Sequence, residues 1–299
     1  MAEFFYLNRS MNILRLTRFP ALIACAGILL LAGCGASGRS DFPSPPQYDL
    51  NHPYRINLPE QLKEISGLAY YPKDTSLFSI ADNDGWLFKI FLKRNDAVQR
   101  WKFGKNHDYE DLQLVDSLFY ILSSSGDITR IQFYRNSDSL HTDNFKFPGA
   151  GKNEFESLYY DKLGNTLIML CKNCEADHKT AVSSWRFNLA NDTYELAPQK
   201  LDVAPIAKAM GEDKLRFKAS ATAIHPITHE LYILSSVNKA LVIADSSGKV
   251  KEAYPLDPAI YKQPEGMAFT PAGDLLISNE VNMGEYATLL IFKNKIHGK

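Results

Sequence analysis

Short runs of β-branched, aromatic and leucine residues recur along most of the chain, with polar residues between them. Ser76–Ile80 and Glu230–Leu234 are typical, and turn-forming Asp, Asn, Gly or Pro lies close to them. Other runs, such as Gly85–Ile90, alternate apolar and polar residues with the period of two expected of a strand. The pattern therefore predicts many short β-strands and little helix.

A motif of acidic or small residues followed by apolar ones precedes five of these runs. Aligned on the third motif position, the copies lie 44, 46, 64 and 45 residues apart, close to the length of one four-stranded propeller blade. The longer step holds an insertion, in which the spacing of Ile206, Ala207 and Met210 predicts a short helix beside a blade. The copies begin at Glu64, Asp108, Glu154, Lys218 and Gln263.

The two ends of the repeat region complement each other. The last unit has room for only three strands, of which Ala287–Phe292 is the last, and Tyr54–Leu58 is expected to supply the fourth. Such closure removes the exposed edges that an open arrangement would leave. The sequence thus predicts an all-β fold: one β-propeller over residues 54–299, with five blades of four antiparallel strands, closed by an N-terminal strand.

The N-terminal region has the features of a lipoprotein signal peptide. Arg15 and Arg18 precede the uncharged segment Phe19–Leu31, which is too short to span a bilayer comfortably. Leu31-Ala32-Gly33-Cys34 forms a lipobox, so residues 1–33 are expected to be removed and Cys34 to carry acyl chains such as palmitate. A short N-terminal membrane anchor is the alternative, against which Pro20 and the small residues near Cys34 argue.

Residues 34–53 are rich in Ser, Pro, Gly and Asp and have no periodic apolar pattern. They are expected to form a flexible tether between the membrane and the propeller. Gly35, at the place where Asp would favour inner-membrane retention, points to the outer membrane of a bacterium with two membranes. We therefore expect a monomer in the cell envelope, attached to the membrane through lipid on Cys34.

The net charge of the chain gives no indication that it binds nucleic acid. The sequence contains 33 basic and 34 acidic residues, for a formal net charge of −1. A nucleic-acid-binding domain is typically basic. The expected partner is therefore a protein or a glycan of the envelope.

Cys171 and Cys174 are the two cysteines that remain beyond Cys34, and an oxidising envelope would allow them to form a small disulfide-closed loop. A redox motif is the alternative, but the sequence lacks the Trp and helix pattern of thioredoxins. An unpaired state also stays open. A zinc site would require a second pair of ligands, which the chain does not offer.

The repeat motif concentrates carboxylates around the propeller axis. The first strand of a blade lies nearest the axis, so motif positions one and three face the same way, and six of these ten positions are acidic. Crowded carboxylates repel one another, which raises their pKa values. Bound protons or a bound cation would offset this repulsion. Oxygen ligands favour Ca²⁺ over Zn²⁺. The candidate calcium ligands are Glu64, Asp108, Glu110, Glu154, Glu156 and Glu265.

Some of these carboxylates could instead cap strand ends or accept hydrogen bonds from the next blade. Asp82-Asn83-Asp84-Gly85 resembles the start of an EF-hand loop, but the twelfth position lacks Glu, so a hairpin turn is the better interpretation. The sequence contains no G-x-S-x-G, H-E-x-x-H or phosphate-binding loop.

The motifs, taken in order, make about residues 54–298 resemble the SdiA-regulated family of bacterial envelope proteins. The resemblance implies a five-bladed propeller, distantly similar to NHL-repeat proteins, with bound Ca²⁺ and no established activity. It assigns no ligands in this chain. The segments that carry it are Glu64–Ala69, Asp82–Gly85, Tyr109–Leu112, Phe155–Leu158 and Pro264–Ala268.

Three functions are compatible with this sequence. The first is a non-catalytic, calcium-binding propeller that acts as a binding module. The second is a calcium-dependent hydrolase, either phytase-like, which would need more Lys and Arg than Lys218, or lactonase-like, using Glu64, Glu156 and Asn279 or Asn83. The third is a purely structural envelope protein. Fold alone does not decide among them.

Overall fold

Five four-stranded antiparallel sheets surround a central channel in the computed structural model, which describes residues 41–93, 97–134, 137–175, 177, 181–198, 200–281 and 285–296. The innermost strand of each sheet packs against the innermost strands of two neighbouring sheets, and these contacts form a closed ring. The five-bladed β-propeller that the sequence predicts is therefore confirmed.

The strands follow one another blade by blade along the chain, after a closing strand, β1 (Tyr54–Asn57). Blade 1 contains β2 (Ile65–Tyr71), β3 (Ser76–Ala81), β4 (Asp84–Phe91) and β5 (Gln99–Lys102), and blade 2 contains β6 (Tyr109–Val115), β7 (Leu118–Ser123), β8 (Ile128–Phe133) and β9 (Leu140–Phe145). Blade 3 contains β10 (Phe155–Asp161), β11 (Thr166–Cys171), β13 (Ser184–Asn188) and β14 (Thr193–Leu196), and a separate small ladder joins β12 (Ala181–Val182) to β15 (Leu201–Asp202). Blade 4 contains β16 (Ala221–Ile224), β17 (Leu231–Ser235), β18 (Ala240–Ala244) and β19 (Val250–Pro255), and blade 5 contains β20 (Pro264–Phe269), β21 (Leu275–Asn279) and β22 (Thr288–Phe292).

Closure of the ring occurs in blade 5, as predicted. Strand β1 pairs antiparallel with β22, with Tyr54 opposite Ile291 and Asn57 opposite Thr288. The C-terminal part of the chain supplies only three strands of blade 5. Strand β1, which precedes blade 1, is the fourth.

The inner strands all run in the same direction along the channel. We call the end at which they begin the upper end and the end at which they finish the lower end. At the lower end each inner strand turns into the second strand of its blade, and every turn contains one residue with positive φ. These residues are Thr75, Asp116, Asn165, His229 and Gly273.

The hydrophobic core lies between the blades. The second strands, such as β3 and β11, are buried on both faces, because a neighbouring blade covers each side. Aromatic pairs bridge the gaps, and the rings of Phe78 in blade 1 and Phe119 in blade 2 lie 4.5 Å apart between centroids. Burial of these apolar surfaces is the main force that holds the ring together.

The insertion between blades 3 and 4 contains the predicted helix, α1 (Ala204–Met210). It has Pro in its first turn and ends at Gly211, whose left-handed conformation allows the chain to turn away. Ile206 and Ala207 are buried, and α1 packs against β19. The helix expected from the residue spacing is confirmed.

The predicted tether of residues 34–53 is too long, because its described part packs on the propeller. Tyr48 and Leu50 are only 1% and 2% exposed and join the core between blades 4 and 5. The Tyr48 hydroxyl donates a hydrogen bond of 2.6 Å to the carbonyl oxygen of Gly273, and Tyr261 donates one of 2.9 Å to that of Leu50. The Ser, Pro, Gly and Asp content of this segment predicted a flexible chain, but Tyr48 and Leu50 anchor it to the propeller.

Residues 1–40, which include the predicted signal peptide and Cys34, lie outside the described residues. None of the helices in the described ranges combines the length and the hydrophobicity of a membrane span.

Candidate functional site

The third motif position lies on a β-bulge at the upper end of several blades. The ladders between first and second strands skip Glu110, Glu156 and Glu265. A bulge adds one unpaired residue and changes the direction of its side chain. In blade 1 the skipped residue is Gly67, with φ of +61°, where a Cβ atom would lie 2.8 Å from the backbone nitrogen of Leu112. The close approach of blade 2 explains the glycine in this copy of the motif.

The bulge carboxylates lie close enough to influence one another. Burial, and next the neighbouring Asp108, raise the pKa of Glu110 to about 8, although Lys172 acts in the opposite direction. Burial also raises the pKa of Glu265, against the effects of a hydrogen bond from Ser236 and the charge of Lys172. The structure thus brings two predicted residues from blades 2 and 5 into one electrostatic environment.

A second set of upper-end residues was missed by the sequence analysis. In blades 1, 2, 3 and 5 the residue after the second strand stands beside motif position one, because the two strands are antiparallel. The amide nitrogens of Asp82, Lys172 and Glu280 donate to the carbonyl oxygens of Glu64, Glu154 and Gln263, at 3.1, 2.8 and 2.9 Å. The signal that could have found them is their position directly after the apolar run of the second strand, which ends at Ala81, Cys171 and Asn279.

Two of these additional residues are acidic, and their pKa values are raised. Burial, followed by the charges of Glu265 and Asp82, raises the pKa of Glu280 to about 7. Burial, followed by the charges of Glu64 and Asp108, raises the pKa of Asp82 to about 6. We refer to Asp82, Glu110, Glu265 and Glu280 as the acidic mouth.

The predicted residues at motif position one have hydrogen-bond partners of their own. Asn83 donates to Glu64 at 3.0 Å, and Ser124 donates to Asp108. Asn173 donates to Glu154 at 3.0 Å. Burial alone would raise the pKa of Glu154, but this hydrogen bond and the charge of Lys172 outweigh burial and lower the pKa. Asn83 and Ser124 thus provide hydrogen bonds to Glu64 and Asp108, respectively, but no positive charge.

Lys172 distinguishes Glu156 from the acidic mouth. Its ammonium group forms an ion pair with the carboxylate of Glu156, which is 7% exposed, and lies 3.5 Å from that of Glu154. Two of the six predicted ligands therefore share a cation that the protein itself provides. A buried carboxylate paired in this way has little need of a metal.

The donor set of the acidic mouth fits a hard cation by chemical type. All four members offer carboxylate oxygens, and Asp82 Oδ1 is buried without a hydrogen-bond partner in the described part of the chain. The oxygens do not converge in threes, however: within the described ranges, the one group of three donor atoms within 4.8 Å of each other is Cys171, Cys174 and Asp177. A cation would have to draw the carboxylates together.

Cys171 and Cys174 are joined by a disulfide, with 5.7 Å between their Cα atoms. The loop that it closes holds Lys172 and Asn173, which contact Glu154 and Glu156. Arg216 donates to the Asn173 side chain from the far side of this loop. The disulfide therefore fixes part of the upper end and, as a disulfide, leaves no thiolate for a metal.

Asp82-Asn83-Asp84-Gly85 is a hairpin turn between β3 and β4, in agreement with the preferred interpretation of this segment. Asp111 has a structural role of a different kind. It is 2% exposed, and its carboxylate accepts hydrogen bonds from Leu112 N at 2.8 Å and from Leu158 N in blade 3 at 2.7 Å. Burial raises the pKa of Asp111 well above its usual range, against these two bonds.

Comparison with known proteins agrees with the propeller fold. The chain is similar to the structure of glutaminyl cyclase from Myxococcus xanthus, at 13% identity and a TM-score of 0.56, over 81% of this chain and 96% of the other. It is also similar to a luciferin-regenerating enzyme, at 10% identity and a TM-score of 0.51, over 82% and 96%. At this identity the likeness shows the fold alone. No curated protein sequence matches the chain. A family model matches residues 46–284, and the chain therefore belongs to the SdiA-regulated family.

Proposed function

We propose that the protein is a calcium-binding β-propeller that acts as a binding module at the cell envelope. The observation that carries this proposal is the position of the four carboxylates of the acidic mouth, Asp82, Glu110, Glu265 and Glu280, at one end of the channel, where burial raises the pKa of each. A divalent cation would stabilise their charged forms and replace the bound protons.

Calcium suits this mouth better than other common cations. Its ligand shell is flexible and accepts carboxylates, carbonyls and water, so oxygens from different blades can take part. The orphaned Asp82 Oδ1 is available as a ligand. Of the six ligands expected from the sequence, Glu110 and Glu265 remain in the proposed set, while Lys172 occupies Glu154 and Glu156.

A binding module is favoured over a lactonase-like hydrolase by the ion pair of Glu156. A lactonase-like set would use Glu156, which is paired with Lys172. The amide nitrogens of Asn279 and Asn83 donate to Ile260 O and to Glu64, each at 3.0 Å, but a metal would be held by the side-chain oxygen, and Asn279 Oδ1 has no hydrogen-bond partner in the described part of the chain. The pairing of Glu156 thus removes the one carboxylate of this set that lies on a bulge.

The melting temperature of the detergent-solubilised protein tests calcium binding. Millimolar CaCl₂ should raise it, since a ligand that binds the folded state alone stabilises that state. The Glu110→Gln, Glu265→Gln double variant should lose the shift. A matched control is Glu195→Gln, which removes an exposed carboxylate paired with Arg186 on the outer strand of blade 3 and should keep it. No shift in the unsubstituted protein, or an equal shift in all three, would contradict the proposal.

The lipobox supports the lipid anchor on Cys34, and Gly35 supports the outer-membrane location. Labelled palmitate should enter the unsubstituted protein and be absent from a Cys34→Ser variant, which should leave the membrane fraction. The protein or glycan partner is then expected on the envelope side that the anchored propeller faces.

A further inference from the structure

More of the exposed large apolar side chains lie at the lower end of the propeller than at the upper end. Eight large apolar or aromatic side chains are exposed in the part of the chain that the structure describes, and Leu163, at 96% exposure, is the most extreme. Three of the eight, Leu196, Val237 and Tyr286, lie at the upper end, by the register of their blades. The five at the lower end are Tyr54, Tyr134, Leu163, Ile227 and Ile296.

The centre of the lower end is also apolar. A cavity of about 510 Å³ lies between the last residues of the inner strands, and Leu68, Leu114, Met267 and Phe269 line it together with other residues of these strands and their turns. The two ends of the channel therefore differ in chemistry, since carboxylates surround the upper one. Single exposed apolar residues need no explanation. Here five of the eight lie at the end that also holds the apolar cavity, which makes the lower end the more apolar of the two.

The N-terminal segment leaves the propeller at this same end. Asn51, three residues before the lower end of β1, binds the backbone of Phe42 through two hydrogen bonds of 2.9 and 2.8 Å. Lys295 N, just beyond the lower end of β22, donates to Gln47 O at 2.9 Å. Only six residues separate Asp41 from Cys34, so the chain between them can span about 25 Å at most.

We propose that the lower end of the propeller rests on the bilayer that holds the Cys34 lipid. Leu163 and Ile227 then enter the boundary between headgroups and acyl chains, and Tyr54 and Tyr134 lie at headgroup depth, where an aromatic ring with a polar tip is favoured. The occupant of the apolar surface is thus a phospholipid membrane. The inference rests on the lipid anchor of the proposed function.

The short connection and the charge of the upper end support this orientation. The connection from Cys34 to Asp41 spans about 25 Å at most, so the lower end, where residues 42–51 are bound, cannot lie further than about that distance from the lipid. Lys162 lies directly beside Leu163 at the lower end and can reach anionic headgroups while its stem covers apolar surface. Lower-end carboxylates are in part paired with lysine, as Asp274 is with Lys293, whereas anionic lipids would repel the acidic mouth. The proposed calcium site therefore faces away from the membrane.

Environment-sensitive labelling of the full-length lipidated protein tests the orientation. The protein is reconstituted into vesicles of phosphatidylethanolamine and phosphatidylglycerol, with a nitrobenzoxadiazole probe on Leu163→Cys or on the matched control Val237→Cys at the upper end. The native pair Cys171 and Cys174 forms a disulfide and does not react. We expect blue-shifted emission at position 163 that nitroxide-labelled lipid quenches about twofold, and water-like, unquenched emission at position 237.

Each other outcome overturns the proposal. Equal quenching at both positions, or more at 237, would show that the lower end does not rest on lipid. A blue shift at 163 that depends on protein density and not on the nitroxide lipid would identify a second copy of the chain as the occupant. Ile227→Cys provides the same measurement if Leu163→Cys does not fold. Failure of the unsubstituted protein to float with vesicles would overturn the lipid anchor itself, and the docking with it.

Discussion

Single side chains that join neighbouring blades matter at the residue scale. Asp111 in blade 2 accepts hydrogen bonds from Leu112 N in its own strand and from Leu158 N in blade 3. Ser66 and Ser220 make equivalent links, from blade 1 to Glu110 O and from blade 4 to Pro264 O. Leaving a buried donor or acceptor without a partner destabilises the folded state by more than one hydrogen bond stabilises it. These links therefore favour one relative position of neighbouring blades.

Asp111→Asn should reduce the free energy of unfolding by about 2 kcal/mol, because Leu112 N and Leu158 N bond to different carboxylate oxygens and the NH2 group of Asn would replace one of these acceptors. Urea denaturation measures the change. Asp161→Asn is the matched control: its carboxylate accepts one hydrogen bond, from Leu163 N at 3.1 Å, in an exposed turn, and the loss should stay below about 0.5 kcal/mol. Similar losses in both variants would mean that the link between blades 2 and 3 is not the cause.

The N-terminal segment and strand β1 form the closing element of the ring. The ring of Tyr48 packs among Tyr232 and Phe269, and its hydroxyl lies 3.0 Å from His225 Nε2. His225 Nδ1 accepts from Thr228 N at 3.1 Å, so Nε2 carries the hydrogen and donates to Tyr48. The closing element is thus fastened on the N-terminal side of β1 as well as through the strand itself.

Tyr48→Ala should reduce the free energy of unfolding by about 4 kcal/mol, the usual cost of emptying a large buried aromatic site. Tyr54→Ala, six residues further on in β1, removes a ring that is 69% exposed and should cost less than about 1 kcal/mol. Thermal and urea unfolding of both variants would give the comparison. A small loss for Tyr48→Ala would indicate that the N-terminal segment adds little to closure.

The blades were predictable from sequence, because each copy of the motif is followed by strands with a period of two and by turn residues. The closing strand and helix α1 followed from counting strands and from the spacing of Ile206, Ala207 and Met210. The packing of Tyr48 was not predictable, since one aromatic residue in a polar segment has no periodic partner. Lys172 and Glu280 entered the site through strand pairing, which brings together residues far from the motif.

The acidic mouth makes the stability of the whole molecule depend on pH. Glu110, Glu280 and Asp82 have folded-state pKa values of about 8, 7 and 6, above those of exposed carboxyls. Through these three groups the folded state binds more protons than the unfolded chain between about pH 4 and pH 8, so their contribution to stability is largest below this range and falls as the pH rises through it. Calcium and protons compete for the same oxygens.

In a chelating buffer, the melting temperature should therefore be lower at pH 8 than at pH 5.5. The stabilisation by calcium should be larger at pH 8, where protons compete less. The Glu110→Gln, Glu280→Gln variant should show a flatter pH profile, whereas Glu195→Gln should keep the original one. Calorimetry at the two pH values, with and without CaCl₂, provides the measurement, and a melting temperature that rises toward pH 8 without calcium would refute this electrostatic account.

The packing of residues 42–50 has a mechanical consequence. Tension that reaches the propeller from the N-terminal side meets the hydrogen bonds between Phe42 and Asn51 first, and then the buried side chains of Tyr48 and Leu50. Strand β1, whose four residue pairs close the ring, lies behind them in the path of the force. Pulling on the chain therefore loads a packed aromatic side chain before it can peel away the strand on which the integrity of the ring depends.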